Sequence, residues 1–185
     1  MCGIAGFFGH RSVAAATIDA MRSAIARRGP DAFHVAGSAQ ADSPFVRQEN
    51  PSGLQRALLH ARLSIRDPRP LADQPMRNGD GSVWLCYNGE VYGWEDDKAF
   101  LQRSGHEFFS TSDTEFILRG YEHWGWEGLL PRLRGMFALV VVYLWTMMER
   151  RMNTYTKPAG LAVFAWRFIL TTGTHGSRGI TGIVI

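Results

Sequence analysis

From Cys2 to Phe8 the chain is apolar and punctuated by glycine, a short run that predicts a buried strand beginning at the terminus itself. Ile18, Met21, Ala24 and Ile25 then recur at helical spacing, and Gly29-Pro30 interrupts the pattern as a helix C-terminus does, predicting a helix from about Thr17 to Arg28. The polar stretch from Ala36 to Ser52 reads as surface loop. Leu58 to Ile65 and Val83 to Tyr87 read as strands, the second bounded by Asn78-Gly79-Asp80-Gly81 before it and Asn88-Gly89 after it. Ser112-Asp113-Thr114-Glu115 has the form of a capping box. The apolar residues Phe116, Ile117 and Tyr121 follow, so a helix opens there and ends near Gly125. Strands mixed with about three helices, without regular strand-helix alternation, predict an α+β fold rather than a doubly wound sheet. No internal repeat is visible.

At 185 residues the chain has room for one sizeable domain and not for two with a linker. An apolar share of 45% with 20% charged residues excludes a disordered chain, a collagen or a coiled coil. The net charge of +3 comes from Lys and Arg scattered among Asp and Glu, without a basic run or interleaved aromatics, so no nucleic-acid partner is expected. The longest apolar run, Met136 to Trp145, is too short for the ~20 residues of a membrane-spanning helix, and no secretory n-region opens the chain. A soluble cytoplasmic protein without a membrane partner is the expectation. Cys2 and Cys86 stand far apart, and neither they nor the histidines have ligand spacing, so neither a disulfide framework nor a metal site is expected.

Candidate chemistry begins at Cys2. Removal of Met1 would leave a thiol and a free α-amino group on one residue, a nucleophile with its own base. An α-amino group, with an unperturbed pKa of roughly 7.7 to 8.0, can take the thiol proton near neutral pH and later return it to a leaving amine. The bland alternative is that Cys2 is a small buried hydrophobe, and the same reading suits Cys86 within its apolar strand.

Cys2 does not stand alone. Met1-Cys2-Gly3-Ile4, Arg28-Gly29-Pro30-Asp31 and Tyr87-Asn88-Gly89-Glu90 occur in this order, and the combination resembles the class II glutamine amidotransferases of the N-terminal nucleophile hydrolase superfamily. His60-Ala61-Arg62-Leu63-Ser64-Ile65, Asp67, Gln74-Pro75-Met76, Val91-Tyr92, Ser112-Asp113-Thr114-Glu115 and Gly135-Met136-Phe137-Ala138 look like its asparagine synthetase branch. The resemblance implies a four-layer α-β-β-α sandwich. It also implies attack by Cys2 on the carboxamide of L-glutamine, a glutamyl thioester, and hydrolysis to glutamate with release of ammonia. It places Asn88 and Gly89 at the oxyanion site and Arg62 on the substrate's α-carboxylate, a task suited to a planar guanidinium. Glu90 and Asp113 fall at positions that hold the ammonium group, and the run Leu63-Ser64-Ile65-Arg66 lines the same pocket. Read from the residues alone, Asn88-Gly89 is equally a tight hairpin turn, Asp113 a helix cap and Arg62 one half of a surface salt bridge. Arg28 to Asp31 is expected to shape a loop beside the pocket.

The resemblance covers residues 1 to about 139. Beyond Leu139 the family continues through a strand and hairpin to an Asp-Arg-x-Gly-x-Lys-Pro-Leu stretch that is absent, Lys157-Pro158 being an isolated echo. Residues 1–139 are therefore read as the glutaminase domain and 140–185 as a divergent tail, left by a truncated or shifted reading frame. On this reading the sandwich is incomplete in its second half. An uninterrupted frame in the source DNA would dispose of a frameshift. The Ser-Gly-Gly-x-Asp-Ser loop of the family's synthetase domain is also absent. ATP and magnesium are thus expected only with that missing domain, in cis or in trans, and no cofactor is expected in this chain. A homodimer is compatible with the family. Two other readings stand beside the leading one: an inactive remnant that at most binds glutamine, and an amidase of the same superfamily acting on a different amide.

Overall fold

The structure, a computed structural model, describes residues 2–40, 43–143, 160–165 and 180–184. The apolar opening segment forms strand β1 (Gly3–Val13), which leads into helix α1 (Ala15–Ile25) and a single 3-10 turn (Ala26–Arg28). Then follow β2 (Ala32–Ser38), β3 (Val46–Gln48), β4 (Leu54–Arg62), β5 (Met76–Arg77) and β6 (Val83–Val91). Helices α2 (Glu95–Arg103) and α3 (Asp113–Leu129) come next, and then β7 (Gly135–Tyr143), β8 (Gly160–Ala165) and β9 (Ile180–Val184). The strands make two sheets, ordered β3-β2-β4-β1-β9 and β5-β6-β7-β8.

Side chains on a strand alternate between faces, and that alternation builds the layers. On β1, Ile4 faces the second sheet, where it joins Leu58, Ala36 and Phe45 against Trp84, Cys86, Val140 and Val142. Its neighbours Ala5 and Phe7 point the other way, onto Ile18 and Ile25 of α1. On β6, Leu85 and Tyr87 turn from the first sheet toward Phe116, Ile117 and Leu101 of α2 and α3. Three apolar seams thus join four layers: α1, first sheet, second sheet, and the α2–α3 pair. This is the α-β-β-α sandwich that the resemblance implies. Ile4, Leu58 and Phe116 are 0 to 1% exposed, and each such side chain contributes about 1.5–3 kcal/mol on leaving water.

Several boundaries differ from the sequence reading, each for a tertiary reason. Ala36 to Ser38, read as loop, belong to β2 because they pair with Leu58, Ala57 and Arg56 of β4. Val46 to Gln48, also read as loop, pair with β2 as a short edge strand. β4 begins at Leu54 and stops at Arg62, leaving Leu63 to Ile65 outside the ladder. β6 continues to Val91 because β7 pairs with it along its whole length, from Val83↔Tyr143 to Val91↔Gly135. Asn88-Gly89 is therefore strand interior and not a hairpin turn. The boundary expected at Leu139 falls inside β7; β8 pairs with that strand, and β9 with β1. The turn at Asn78 to Gly81, the α1 helix and the α3 start occur where the sequence puts them, and Gly125 interrupts α3 at φ 64°. Helix α2 is not read from sequence, since it buries only Leu101.

One polar group spans the seam between the sheets. His60, fully buried on β4, donates its Nε2–H to the Tyr87 carbonyl of β6 at 3.2 Å, while Nδ1 has no partner. Burial lowers the imidazole pKa to about 4, outweighing the Tyr87 carbonyl, so the ring is neutral in the fold. Between pH 6.5 and 4 the unfolded chain binds the extra proton, and stability is lost as pH falls through that window. The full loss is about 3 kcal/mol, from ~2.5 pH units at 1.36 kcal/mol each. Urea denaturation at pH 7 and pH 4.5 should record most of it, and His60→Gln should flatten the dependence. An unchanged slope in that variant would remove His60 as the cause.

Candidate active site

Cys2 sits at the mouth of β1, where Gly3 pairs with Ala61 of β4. Its sulfur lies against the backbone just past the end of β4: the Leu63 N–H donates to Sγ at 3.4 Å, and the thiol lies 3.8 Å from the Leu63 carbonyl. The Arg28-to-Asp31 motif holds this arrangement together. Arg28 donates Nε–H to the Cys2 carbonyl at 3.0 Å, the Asp31 N–H reaches the Arg62 carbonyl at 3.0 Å, and Asp31 Oδ2 accepts the Ser64 N–H at 2.6 Å. Gly29 passes so close to β4 that a Cβ there would lie 2.1 Å from the Ala61 carbonyl oxygen. The motif is a clamp between the first residue of the site and the loop leaving β4, in keeping with the shaping role expected of it.

Arg62, the last residue of β4, points into that loop. Nη1 donates to Asp73 Oδ1 at 2.5 Å and to the Arg69 carbonyl at 3.2 Å; Nη2 donates to the Asp67 carbonyl at 2.5 Å and the Arg66 carbonyl at 3.2 Å. All four terminal N–H groups are thereby used on residues 66–73, and the residue is 5% exposed. It is no surface salt bridge. The two-pronged grip on a ligand carboxylate expected of Arg62 would require these acceptors to be released. Asp67 pins the same loop from the other side. Its carboxylate takes Arg69 Nε and Nη2 at 2.6 Å each and the Thr111 N–H at 2.7 Å, with its own backbone at φ 43°. The Arg69 guanidinium holds its pKa far below the usual carboxylate range.

Facing this loop is the end of β6. By the strand's two-residue repeat, Asn88 and Glu90 share the face of Trp84 and Cys86, toward the first sheet, as Cys2 shares the face of Ile4. The His60–Tyr87 bond places Cys2 and Asn88 at the same end of the gap between the sheets. Asn88 is buried at 7% exposure. Gly89 is needed for the close approach of β7, since a Cβ would lie 2.4 Å from the Met136 carbonyl oxygen. Glu90 pairs with the side chain of Arg66. Ser64 and Leu63 therefore contribute backbone here, while the Ile65 side chain is 78% exposed.

Asp113, the first residue of α3, completes the cluster. The cap is its neighbour: Ser112 Oγ accepts the Glu115 N–H at 3.2 Å, which leaves the buried Asp113 carboxylate free for β6. Its Oδ2 accepts the Tyr87 hydroxyl at 2.9 Å and the Val91 N–H at 3.2 Å. Burial raises the Asp113 pKa against those two hydrogen bonds, and neighbouring Glu90 raises it further. Tyr87 is pushed up as well, first by burial and then by the Asp113 charge. Sequence reading passed over Tyr87, Asp73 and the side chain of Arg66 as actors. Tyr87 precedes Asn88 in the motif, but nothing in one sequence separates a strand tyrosine from a strand leucine. Cys86 lies in the core with its thiol pushed up by burial.

Among the described residues no group of three or more His, Cys, Asp or Glu is placed to hold a metal, and no helix is long and apolar enough to cross a membrane. A cleft of about 520 Å³, lined by Arg47, Asp73, Met76, Arg77 and Trp84 among others, contains none of the site residues expected from sequence.

A family profile described as a glutamine amidotransferase domain matches residues 1–154. An asparagine synthetase (glutamine-hydrolyzing) 1 of Bacillus subtilis (strain 168) is 32% identical over 146 residues, covering 76% of this chain and 20% of the relative. The asparagine synthetase (glutamine-hydrolyzing) of Mesocricetus auratus is 35% identical over 145 residues, covering 77% and 22%. An asparagine synthetase (glutamine-hydrolyzing) 2 of Oryza sativa subsp. japonica is 45% identical over 85 residues, covering 46% and 14%. The chain thus spans about a fifth of the length of these curated relatives. Among solved structures, a glutamine phosphoribosylpyrophosphate amidotransferase from B. subtilis superposes with a TM-score of 0.64 at 18% identity, over 77% of this chain and 35% of that one. At that identity the likeness is one of fold alone.

The Arg62–Asp73 pair carries a stability prediction of its own. Removing one partner of a buried ion pair typically costs 3–5 kcal/mol because the other charge stays buried. With side chains 6% and 11% exposed, Asp73→Ala should lower the unfolding free energy by about 3 kcal/mol. Urea denaturation measures this; a loss below ~1 kcal/mol, the range of exposed pairs, would show that the guanidinium is not committed to Asp73.

Proposed function

The chain belongs to the glutamine amidotransferase domain family, and we propose that it is the glutaminase domain of an asparagine-synthetase-type enzyme, with Cys2 as its nucleophile once Met1 is removed. The observation that carries this reading is the position of Cys2, tethered by Leu63 and Arg28 at the same end of the inter-sheet gap as Asn88 and Glu90. A nucleophile works only where an oxyanion site and a substrate clamp converge on it.

In the proposed reaction the α-amino group of Cys2 takes the thiol proton and the sulfur attacks the side-chain carbonyl carbon of L-glutamine. The Asn88 side-chain amide and the Gly89 N–H stabilise the tetrahedral oxyanion. Collapse of the intermediate breaks the C–N bond, and the α-ammonium group returns its proton to the leaving ammonia. Water, activated by the same amine, hydrolyses the thioester to glutamate. Glu90 and Asp113 supply the negative charge opposite the substrate's ammonium, with the segment Arg62 to Arg66 on the other side. The ammonia would pass to a synthetase domain, in cis or in trans, that activates aspartate with ATP and magnesium; those cofactors belong to that domain. The relatives' name and the asparagine-synthetase-like motifs support this acceptor.

Glutamate release from glutamine by the purified chain, with Met1 removal confirmed by mass, tests the assignment. Cys2→Ala should abolish turnover, and activity surviving in that variant would sink the nucleophile. Asn88→Ala should lower kcat by about 10²–10³ with little change in KM, the pattern of a group acting mainly in the transition state. A matching rise in KM at unchanged kcat would instead mark Asn88 as a binding residue.

A further inference from the structure

Each sheet ends in a short strand on the same side of the sandwich, β3 in the first and β5 in the second, and the cleft of about 520 Å³ opens between them. Its lining is divided in character. Met76 and Trp84 are buried, whereas Val46 and Leu71 are left 47% and 46% exposed. Two guanidinium groups, Arg47 from β3 and Arg77 from β5, flank this apolar surface. The described arginine ion pairs belong to Arg62, Arg66, Arg69, Arg119 and Arg132, so neither Arg47 nor Arg77 has a carboxylate partner among the described residues.

Arg47 is held but not neutralised. Its Nη2 donates to the carbonyls of Asp73 at 3.4 Å and Pro75 at 3.1 Å. Asp73 is the sole carboxylate on the lining, and its oxygens are engaged elsewhere, Oδ1 with Arg62 and Oδ2 with His34. Burial accordingly lowers the Arg47 pKa more than the Asp73 charge raises it. A cation drawn partly out of water is stabilised by an anion placed beside it. We propose that the cleft binds a small organic anion, its phosphate or carboxylate head between Arg47 and Arg77 and its apolar body against Val46 and Leu71. A planar guanidinium meets either head through parallel N–H donors, and the body covers aliphatic surface that otherwise faces water. The volume lies within the ~300–1,000 Å³ of small-molecule sites. An extended peptide is a poorer occupant, because β5 pairs over two residues and β3 over three, too short for an added strand to build a ladder.

A magnetic-resonance titration of the nitrogen-labelled full chain, read at the Trp84 indole N–H, tests the site without recourse to glutamine turnover. Phenyl phosphate and benzoate carry both halves of the ligand, inorganic phosphate the head alone and benzyl alcohol the body alone. One of the first two should shift the Trp84 signal saturably and bind about tenfold tighter than either half, the tighter of them identifying the head. Arg77→Gln should weaken that probe about tenfold, the loss of one charge-assisted contact, and leave benzyl alcohol unchanged. Arg77→Lys should retain part of the affinity. Leu71→Ser should weaken the same probe severalfold and leave inorganic phosphate unchanged. Both side chains are exposed, so unchanged Tm is expected, and the paired probes on each variant separate lost contact from lost structure. Inorganic phosphate binding as tightly as phenyl phosphate, or affinity indifferent to Arg77→Gln, would overturn the proposal. So would the absence of a saturable shift at Trp84 with every probe.

Discussion

A guanidinium taken out of water must find an acceptor for each N–H it carries inward, and at the end of β4 that requirement organises the site. Arg62 gathers one carboxylate and three carbonyls from residues 66–73, which turns a length of irregular backbone into a fixed wall. Cys2 rests through Leu63 on the segment that leads into that wall, Asp31 is tied to the same segment through Ser64, and Thr111 joins the wall to the start of α3 through Asp67. Loosening the guanidinium would therefore loosen Cys2, the Arg28-to-Asp31 clamp and the approach to Asp113 together.

The layers supply the rest of the geometry. Because β1 and β6 face each other across the seam of Ile4, Leu58, Trp84 and Cys86, a residue at the mouth of one strand and one near the far end of the other meet at one edge of the gap. His60 ties the two sheets there with a single hydrogen bond to Tyr87. Gly29 and Gly89 let β4 and β7 approach within distances that any side chain would block. Around that edge the charges divide: Arg62 is spent inside the loop, Asp113 is buried against the Tyr87 hydroxyl and the Val91 N–H, and Arg66 pairs with Glu90 at partial exposure.

Much of this was legible from the chain. The glycine-punctuated strand at the terminus, the α1 helix stopped by Gly29-Pro30 and the capping sequence at Ser112 are local signals, and local sterics and hydrogen bonding decide them. The candidate residues were legible because several short motifs occurred in a fixed order, not because any one was specific. Helix α2 escaped notice since it buries a single leucine, and β3 since its strand character comes from pairing with β2.

By itself, then, the sequence determined the α+β class, because hydrophobic period and capping are properties of neighbouring residues; the four-layer sandwich and the residues that could carry chemistry were what the resemblance of several ordered motifs implied. Only the tertiary structure decided that Asn88-Gly89 is strand and not turn, that Ser112 and not Asp113 caps α3, and that Arg62 is spent on its own loop while Arg66 pairs with Glu90. Those outcomes depend on which partner is nearest once residues tens of positions apart are packed together. Distance and desolvation, which set the strength of a hydrogen bond or an ion pair, exist only after that packing.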